Sequence, residues 1–157
     1  MADHRKNLDQ LRAEWCGCTA CELGQRRSEV DGGFVFGEGM GGGIMFIGEG
    51  PGHIEEQYGR PFVGPSGKLL RKVINLLGLH DYYLTNCVTC RSCAQAYDGG
   101  GNPIYRKSRQ GGSYPLIRDE PPTPAQIARC LPRLQEEIYL VDPCIIIALG
   151  AAAAQTL

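Results

Sequence analysis

Gly48-Glu49-Gly50-Pro51-Gly52 leaves the apolar run Ile44-Met45-Phe46-Ile47 and is followed by a second glycine-bearing stretch, Gly59-Arg60-Pro61-Phe62-Val63-Gly64. Glycines at such a turn let backbone amides approach a ligand closely. Two carboxylates lie on the same stretch, Glu49 next to the apolar run and Glu55 six residues on. A carboxylate here can stabilise a developing cation or orient a water; it can equally be a solvated or helix-capping acid. Phe62 offers a flat apolar face, and Asn86 carries both a donor and an acceptor. Taken singly, a Phe after Arg-Pro reads as a packed loop aromatic and an Asn at a strand end as a turn residue. His53 reads as a surface histidine rather than a general acid or base.

The eight cysteines are unusual for a chain without an export signal. In a reducing compartment such thiols more often bind metal, react or pack than form disulfides. Cys18 and Cys21 stand in a C-x-x-C turn, a spacing that suits zinc or iron–sulfur ligation. One pair is only half a site. Cys144, inside an apolar strand, reads as a small buried hydrophobe.

The elements that must position these groups follow from periodicity. Residues 3–15 read as a short amphipathic helix with Leu8, Leu11 and Trp15 on one face. Residues 28–43 are glycine-rich, and Phe34-Val35-Phe36 either pairs as a strand or lies across the surface. Ile44–Ile47 reads as a buried parallel strand whose C-terminal end opens into a functional loop. Residues 53–65 read as polar and irregular. Ser66 then caps a helix to about Gly78, with Leu69, Leu70, Val73, Ile74 and Leu77 on one face. Tyr82–Asn86 is the second strand. Residues 91–122 show no apolar period and read as a long, mobile surface loop. Thr123-Pro124-Ala125-Gln126 is a capping box with proline at the first helical position. The helix it opens carries Ile127, Leu131, Leu134, Ile138 and Val141 on one face, and Pro132 inside it should bend it or open a turn. Residues 144–149 are the third buried strand, and residues 151–157 begin another helix.

Strand and helix alternate, which gives a parallel sheet with helices on both faces, an α/β/α arrangement of three layers in one domain. With 157 residues, 43% apolar and 21% charged, the chain has the balance of a globular domain and length for a real core. Sixteen basic against seventeen acidic residues exclude a wholesale basic nucleic-acid packaging protein. No apolar run reaches membrane-spanning length and no signal core follows the start, so a cytoplasmic location and no membrane partner are expected.

From about Cys18 to Leu157 the sequence resembles the uracil-DNA glycosylase superfamily, in its family 4, iron–sulfur type. The resemblance is carried by Gly48–Gly52, Gly59–Gly64, Thr85-Asn86, the cysteine spacing, and Asp142-Pro143 with Leu149-Gly150. Five such motifs in order are specific where one would be weak. The resemblance implies removal of uracil from DNA by hydrolysis of its N-glycosidic bond. Phe62 would then stack on the extruded base, Asn86 would read its N3–H and O4 edge, and amides near Glu49 and Gly50 would take O2. It puts the catalytic burden on Glu49 and Glu55, Glu49 nearer the chemistry and Glu55 where the pocket excludes the thymine methyl. It further implies that Cys18, Cys21, Cys90 and Cys130 bind a structural [4Fe–4S] cluster. Spacing alone does not separate that from four-thiolate zinc, and Cys16, Cys87 and Cys93 compete for the same places. Uracil-containing DNA is the implied partner, and a monomer is expected.

In another branch an aspartate two positions after the opening glycine activates water; here Gly50 stands there, so that base is not used. The sequence departs from the family 4 pattern in two ways. The stretch between Cys90 and Cys130 is longer than usual and holds Arg106, Lys107, Arg109 and Arg118 with Tyr97, Tyr105 and Tyr114 interleaved. Such a loop suits contact with a nucleic-acid backbone, or is a solvated insertion. It holds no histidine that could attack the sugar, as one does in a related branch. The family's late histidine motif would follow the third strand, and the sequence stops before it. The expectation is a domain incomplete at its C-terminal end, or a degenerate member that binds uracil-DNA without cleaving it.

Overall fold

The computed structural model describes residues 6–29 and 33–157. Its central sheet has the strand order β1-β3-β2-β8, formed by Glu38–Gly39, Tyr82–Asn86, Ile44–Gly48 and Ile145–Ala148. β2 runs parallel to both β3 and β8, while the two-residue β1 is antiparallel to β3. Side chains alternate across β2 as a strand requires. Met45 and Ile47 join Tyr83, Leu134 and Val141 in one core cluster, and Phe46 joins Ile74 and Leu84 in another. The sheet therefore separates two apolar layers. One is covered by α1 (Leu8–Trp15), α5 (Pro124–Val141) and α6 (Ala151–Thr156), the other by α4 (Pro65–Leu76). The remaining elements are α2 (Glu22–Glu29), α3 (His53–Tyr58), β4 (Cys93–Gln95), β5 (Tyr105–Lys107), β6 (Ser113–Pro115) and β7 (Ile117–Asp119).

The expected three-layer α/β/α fold is present, with several local corrections. α1 starts at Leu8 behind a capping box of Asn7 and Gln10; positions 3–5 of the expected helix lie outside the described residues. Phe34–Phe36 forms no strand, yet Val35 and Phe36 are buried, with the Val35 amide donating to the Thr89 carbonyl. Residues 53–58 are helical rather than irregular. This helix is too short and polar to show an apolar period, and Gly59 ends it in the left-handed region at φ 61°. α4 is capped by Gly64, not Ser66, because Pro65 already occupies its first turn. Leu69, Val73 and Leu77 are exposed, and Ile74 is the large side chain of α4 that is buried. α5 runs unbroken through Pro132. β8 is an edge strand with β2 on one side, so Ile145 is 54% exposed instead of buried, and Cys144 is exposed too.

Residues 91–122 are the largest correction, for they form two small antiparallel sheets rather than an unstructured loop. β4 pairs with β7 and β5 with β6. Backbone bonds from Ala96 to Leu116, Ile104 to Ala96 and Leu116 to Ile104, 2.7–2.8 Å long, join the two into one run. No apolar alternation announced it because β5, β6 and β7 are exposed along their whole length.

Two charged clusters fix the framework. Arg133 and Glu137, one helical turn apart on α5, are both fully buried and form an ion pair. Tyr83 Oη and Thr85 Oγ1 each donate to Glu137 at 2.9 Å, and Arg133 Nη2 donates to the carbonyls of Asn86 (2.7 Å) and Cys87 (2.9 Å). Burial, with Glu137 beside it, holds the Tyr83 phenol far above its ordinary range, so it remains a donor. The second cluster sits at the other edge. Glu38 on β1 accepts from Arg60 (2.8 and 3.0 Å) and Arg71 (2.5 Å), and Arg71 also donates to the carbonyls of Pro61 and Phe62, each at 3.0 Å. Burial alone would raise the Glu38 carboxyl, but the two guanidiniums bring it below the usual range.

Arg133→Met leaves Glu137 buried without its cation and should cost about 3–5 kcal/mol of stability. The double variant Arg133→Met/Glu137→Leu should recover part of that loss, as urea denaturation midpoints would record. For Glu38 the folded pKa lies below the unfolded one. Its stabilisation is therefore complete above about pH 4.3, the unfolded glutamate value, and is lost as pH falls through the folded value. Glu38→Gln should lower the urea midpoint at pH 7, with the gap from the parent closing toward pH 3.

Candidate active site

At the C-terminal end of β2 the backbone has room for no side chain. A Cβ on Gly48 would lie 2.5 Å from Asn86 Oδ1 and 2.7 Å from Phe62 Cζ. Two side chains far apart in sequence thus close over one glycine. Asn86 arrives at the end of β3, paired in register with Gly48, and its carbonyl is held by Arg133. Phe62 arrives with its backbone at φ 55°, a left-handed conformation that costs a bulky residue of order 1–3 kcal/mol. The clamp of Arg71 on the Pro61 and Phe62 carbonyls holds it there. α4 presses on it at Gly67, where any Cβ would collide with the Phe62 backbone.

Beside this contact lies a cavity of about 490 Å³. Residues 49–55, Phe62, Asn86 and residues 64–67 line it, so Glu49, Gly50, Glu55, Phe62 and Asn86 all face one space. Glu49 is exposed at the loop. Glu55 is half-buried, and its Oε1 accepts from the Gly64 amide at 2.7 Å, which fixes the carboxylate against the start of α4. The opening has room for a flat ring and more, and it lies at the C-terminal ends of parallel strands, where open α/β sheets bind ligands.

Part of the wall was not expected from the sequence. Ser92, Asp119, Glu120 and Pro122, from the two ends of the 91–122 insertion, complete the lining. Asp119 accepts from Arg91 Nε at 2.5 Å, and Arg91 Nη1 reaches Glu56 (3.3 Å) and His53 Nδ1 (3.2 Å). Arginine only donates, so Nδ1 of His53 is the acceptor in this contact. Arg26 of α2 joins the same network through Glu56 (2.7 Å) and the Arg91 carbonyl (2.8 Å). His53 is exposed, as read from the sequence, but it also borders the cavity. The signal for Asp119 was weak: an acid flanked by exposed polar residues looks like any solvated carboxylate.

The thiols divide unevenly. Cys90 and Cys130 are buried together with Leu23 and Val88, and half-buried Cys21 packs against them. Cys18 is half-buried on the same turn as Cys21. Cys87 instead belongs to the main core with Met45 and Leu134, Cys93 lies on β4, and Cys16 is exposed with its thiol donating to the Ala13 carbonyl at 3.1 Å. Burial pushes the Cys90 thiol up to about 11, partly offset by Arg27. Arg27 also holds the cysteine turn, donating to the Cys16 (2.5 Å) and Cys18 (3.0 Å) carbonyls. Among the described residues, no three His, Cys, Asp or Glu side chains are grouped closely enough to hold a metal ion.

Comparison with known proteins agrees with this architecture. The family model of the Uracil DNA glycosylase superfamily matches residues 36–157. A type-4 uracil-DNA glycosylase of Saccharolobus solfataricus is 38% identical over 148 residues, covering 92% of this chain and 56% of that protein. The type-4 uracil-DNA glycosylase of Thermotoga maritima is 36% identical over 139 residues (87% and 58%), and that of Archaeoglobus fulgidus 31% over 153 residues (96% and 63%). The chain thus spans a little over half the length of these curated relatives. With Asn86 and Phe62 meeting at the strand-end glycine, the cavity they line and a match over most of its length, the chain belongs to the uracil DNA glycosylase superfamily.

Proposed function

We propose that this chain recognises uracil extruded from DNA and takes part in hydrolysing its N-glycosidic bond, the first step of base-excision repair. The observation that carries the reading is the convergence of Asn86 and Phe62 on Gly48 beside a cavity of about 490 Å³, roomy enough for an extruded nucleotide. A base inside a duplex cannot be reached, so it must be rotated out at a cost of a few kcal/mol. Phe62 stacks on the extruded ring. The Asn86 amide accepts from N3–H and donates to O4, a pattern that cytosine reverses. The amides of Glu49 and Gly50 meet O2. Glu55, tied to the Gly64 amide, forms the wall that a thymine methyl would strike. Glu49, exposed at the cavity, supplies the charge that favours a cationic sugar or orients the attacking water. The location that suits this work is the cytoplasm; no helix among the described residues is long and apolar enough to cross a membrane.

Cys18, Cys21, Cys90 and Cys130 are the thiols that would hold a [4Fe–4S] cluster. Three of them pack in one place, Cys18 is on the adjoining turn, and the Arg27 cation faces a site that would carry negative charge. The donor chemistry fits, although the thiols would have to draw together around the group. Such a cluster would be structural, drawing the N-terminal arm onto the sheet, and no catalytic step passes through it.

Incubation with an oligonucleotide holding one uracil should yield an abasic site, cleavable by alkali, while the thymine counterpart stays intact. Binding that prefers uracil without an abasic product would instead identify a reader that does not cleave. Asn86→Asp should reduce uracil processing or binding about ten- to hundredfold, the size of a lost hydrogen bond in a buried site, and narrow the margin over cytosine. Anaerobic reconstitution with iron and sulfide should give a brown protein with broad visible absorbance. Cys130→Ser should abolish that colour and Cys93→Ser should not.

A further inference from the structure

From Gly99 to Arg118 the sequence holds Arg106, Lys107, Arg109 and Arg118 and no carboxylate, within a chain of net charge −1. Taking these four positive charges from −1 leaves −5 for the rest of the molecule. Elsewhere arginines are spent internally: Arg26, Arg60, Arg71, Arg91 and Arg133 all pair with carboxylates. None of the four cations of the insertion makes a side-chain hydrogen bond or ion pair among the described residues, and all four are exposed.

Their arrangement is built rather than loose. β5 and β6 form a ribbon closed by a turn in which the Ser108 amide donates to the Gly112 carbonyl at 3.0 Å. Gly111 and Gly112 take φ of 85° and 91°, which puts Arg109 at the tip. Arg106 lies opposite Tyr114 in the ladder, so these two share one face, while Tyr105 and Lys107 share the other. Both tyrosines are at least half exposed. The ribbon's base is continuous with β7, whose Asp119 lines the cavity.

The cavity itself is acidic, lined by Glu49, Glu55, Asp119 and Glu120. A polyanion will not settle its base in such an opening unless its flanking phosphates find cations close by. We infer that the β5–β6 ribbon is a second nucleic-acid contact, gripping the DNA backbone beside the extruded nucleotide through Arg106, Lys107 and Arg109, with Tyr105 and Tyr114 offered to unpaired bases. The inference rests on the reading of DNA as substrate and deepens it. It treats the insertion as a clamp on the polyanion, separate from the reading of the base.

Counterion release gives the test. Each phosphate contact contributes about 0.7–0.9 to the slope of log K against log salt concentration. Anisotropy of a labelled, uracil-containing oligonucleotide between 50 and 200 mM salt should show the slope of the Arg106→Gln/Lys107→Gln/Arg109→Gln variant shallower by about 2–3 than that of the parent chain. The preference for uracil over thymine should be unchanged. Tyr105→Ala/Tyr114→Ala should weaken single-strand binding at least several-fold with the slope intact. An unchanged slope in the triple variant, or no DNA binding by the parent, overturns the inference. A shallower slope in a protein that does not distinguish uracil from thymine supports the clamp and removes the base-reading assignment instead.

Discussion

Between Gly48 and the two side chains that close over it there is no room for a methyl group. This exclusion organises the end of the sheet. It requires a glycine where β2 stops, an aromatic residue reaching across from the 59–64 loop, and an amide arriving in register on β3. Each approach is held from behind. Phe62 keeps its left-handed backbone because Arg71 binds its carbonyl and α4 meets it with a glycine. Asn86 keeps its height in the sheet because Arg133 binds its carbonyl from the core. The slot is thus positioned by two arginines that do not line it. Under the proposed function this preorganisation serves specificity, since a recognition group must be held within about 0.5 Å of its productive geometry.

Burying Arg133 and Glu137 is an expensive way to hold a strand end, since charges taken from water lose several kcal/mol of hydration each. The molecule offsets part of the cost with bonds from Tyr83 and Thr85 and to two carbonyls, while Arg133 Nε stays buried without a partner. An apolar substitute could fill the same volume, but it could not bind the backbone oxygens of Asn86 and Cys87, which would then be buried without those donors. The pair is therefore better understood as a fixing device than as a source of net stability.

What could be read in the sequence follows the same division. β2 and β3 were legible because strands buried on both faces are short continuous apolar runs, and the start of α5 because Thr123 and Gln126 form a reciprocal cap. Glu49, Glu55, Phe62 and Asn86 stand out by residue type and position in the sequence, and all four line the cavity. Arg133 was not legible: a charged residue beside Leu134 on an amphipathic helix looks like the edge of the solvent face. The apolar residues of α4 overstated its buried side, because helical spacing cannot say which of two adjoining stripes meets the sheet. The insertion escaped for the opposite reason. A ribbon exposed on both faces has no alternation to detect, and its order lies in backbone pairing and two left-handed glycines.

The thiols and the cavity are farther apart in sequence than in mechanical terms. Cys21 immediately precedes α2, and Arg26 on that helix binds Glu56 of α3, the helix that follows the glycine loop. Glu56 also meets Arg91, next to Cys90, and Arg91 holds Asp119 in the cavity wall. Every joint in this chain is a charge-assisted bond at least partly shielded from water, where geometry is more sharply enforced than at an exposed pair. Whatever fixes the cysteine turn therefore fixes α2, and through Arg26 and Arg91 it fixes both the floor and the far wall of the opening. A structural centre placed there needs no contact with substrate to govern the shape of the slot.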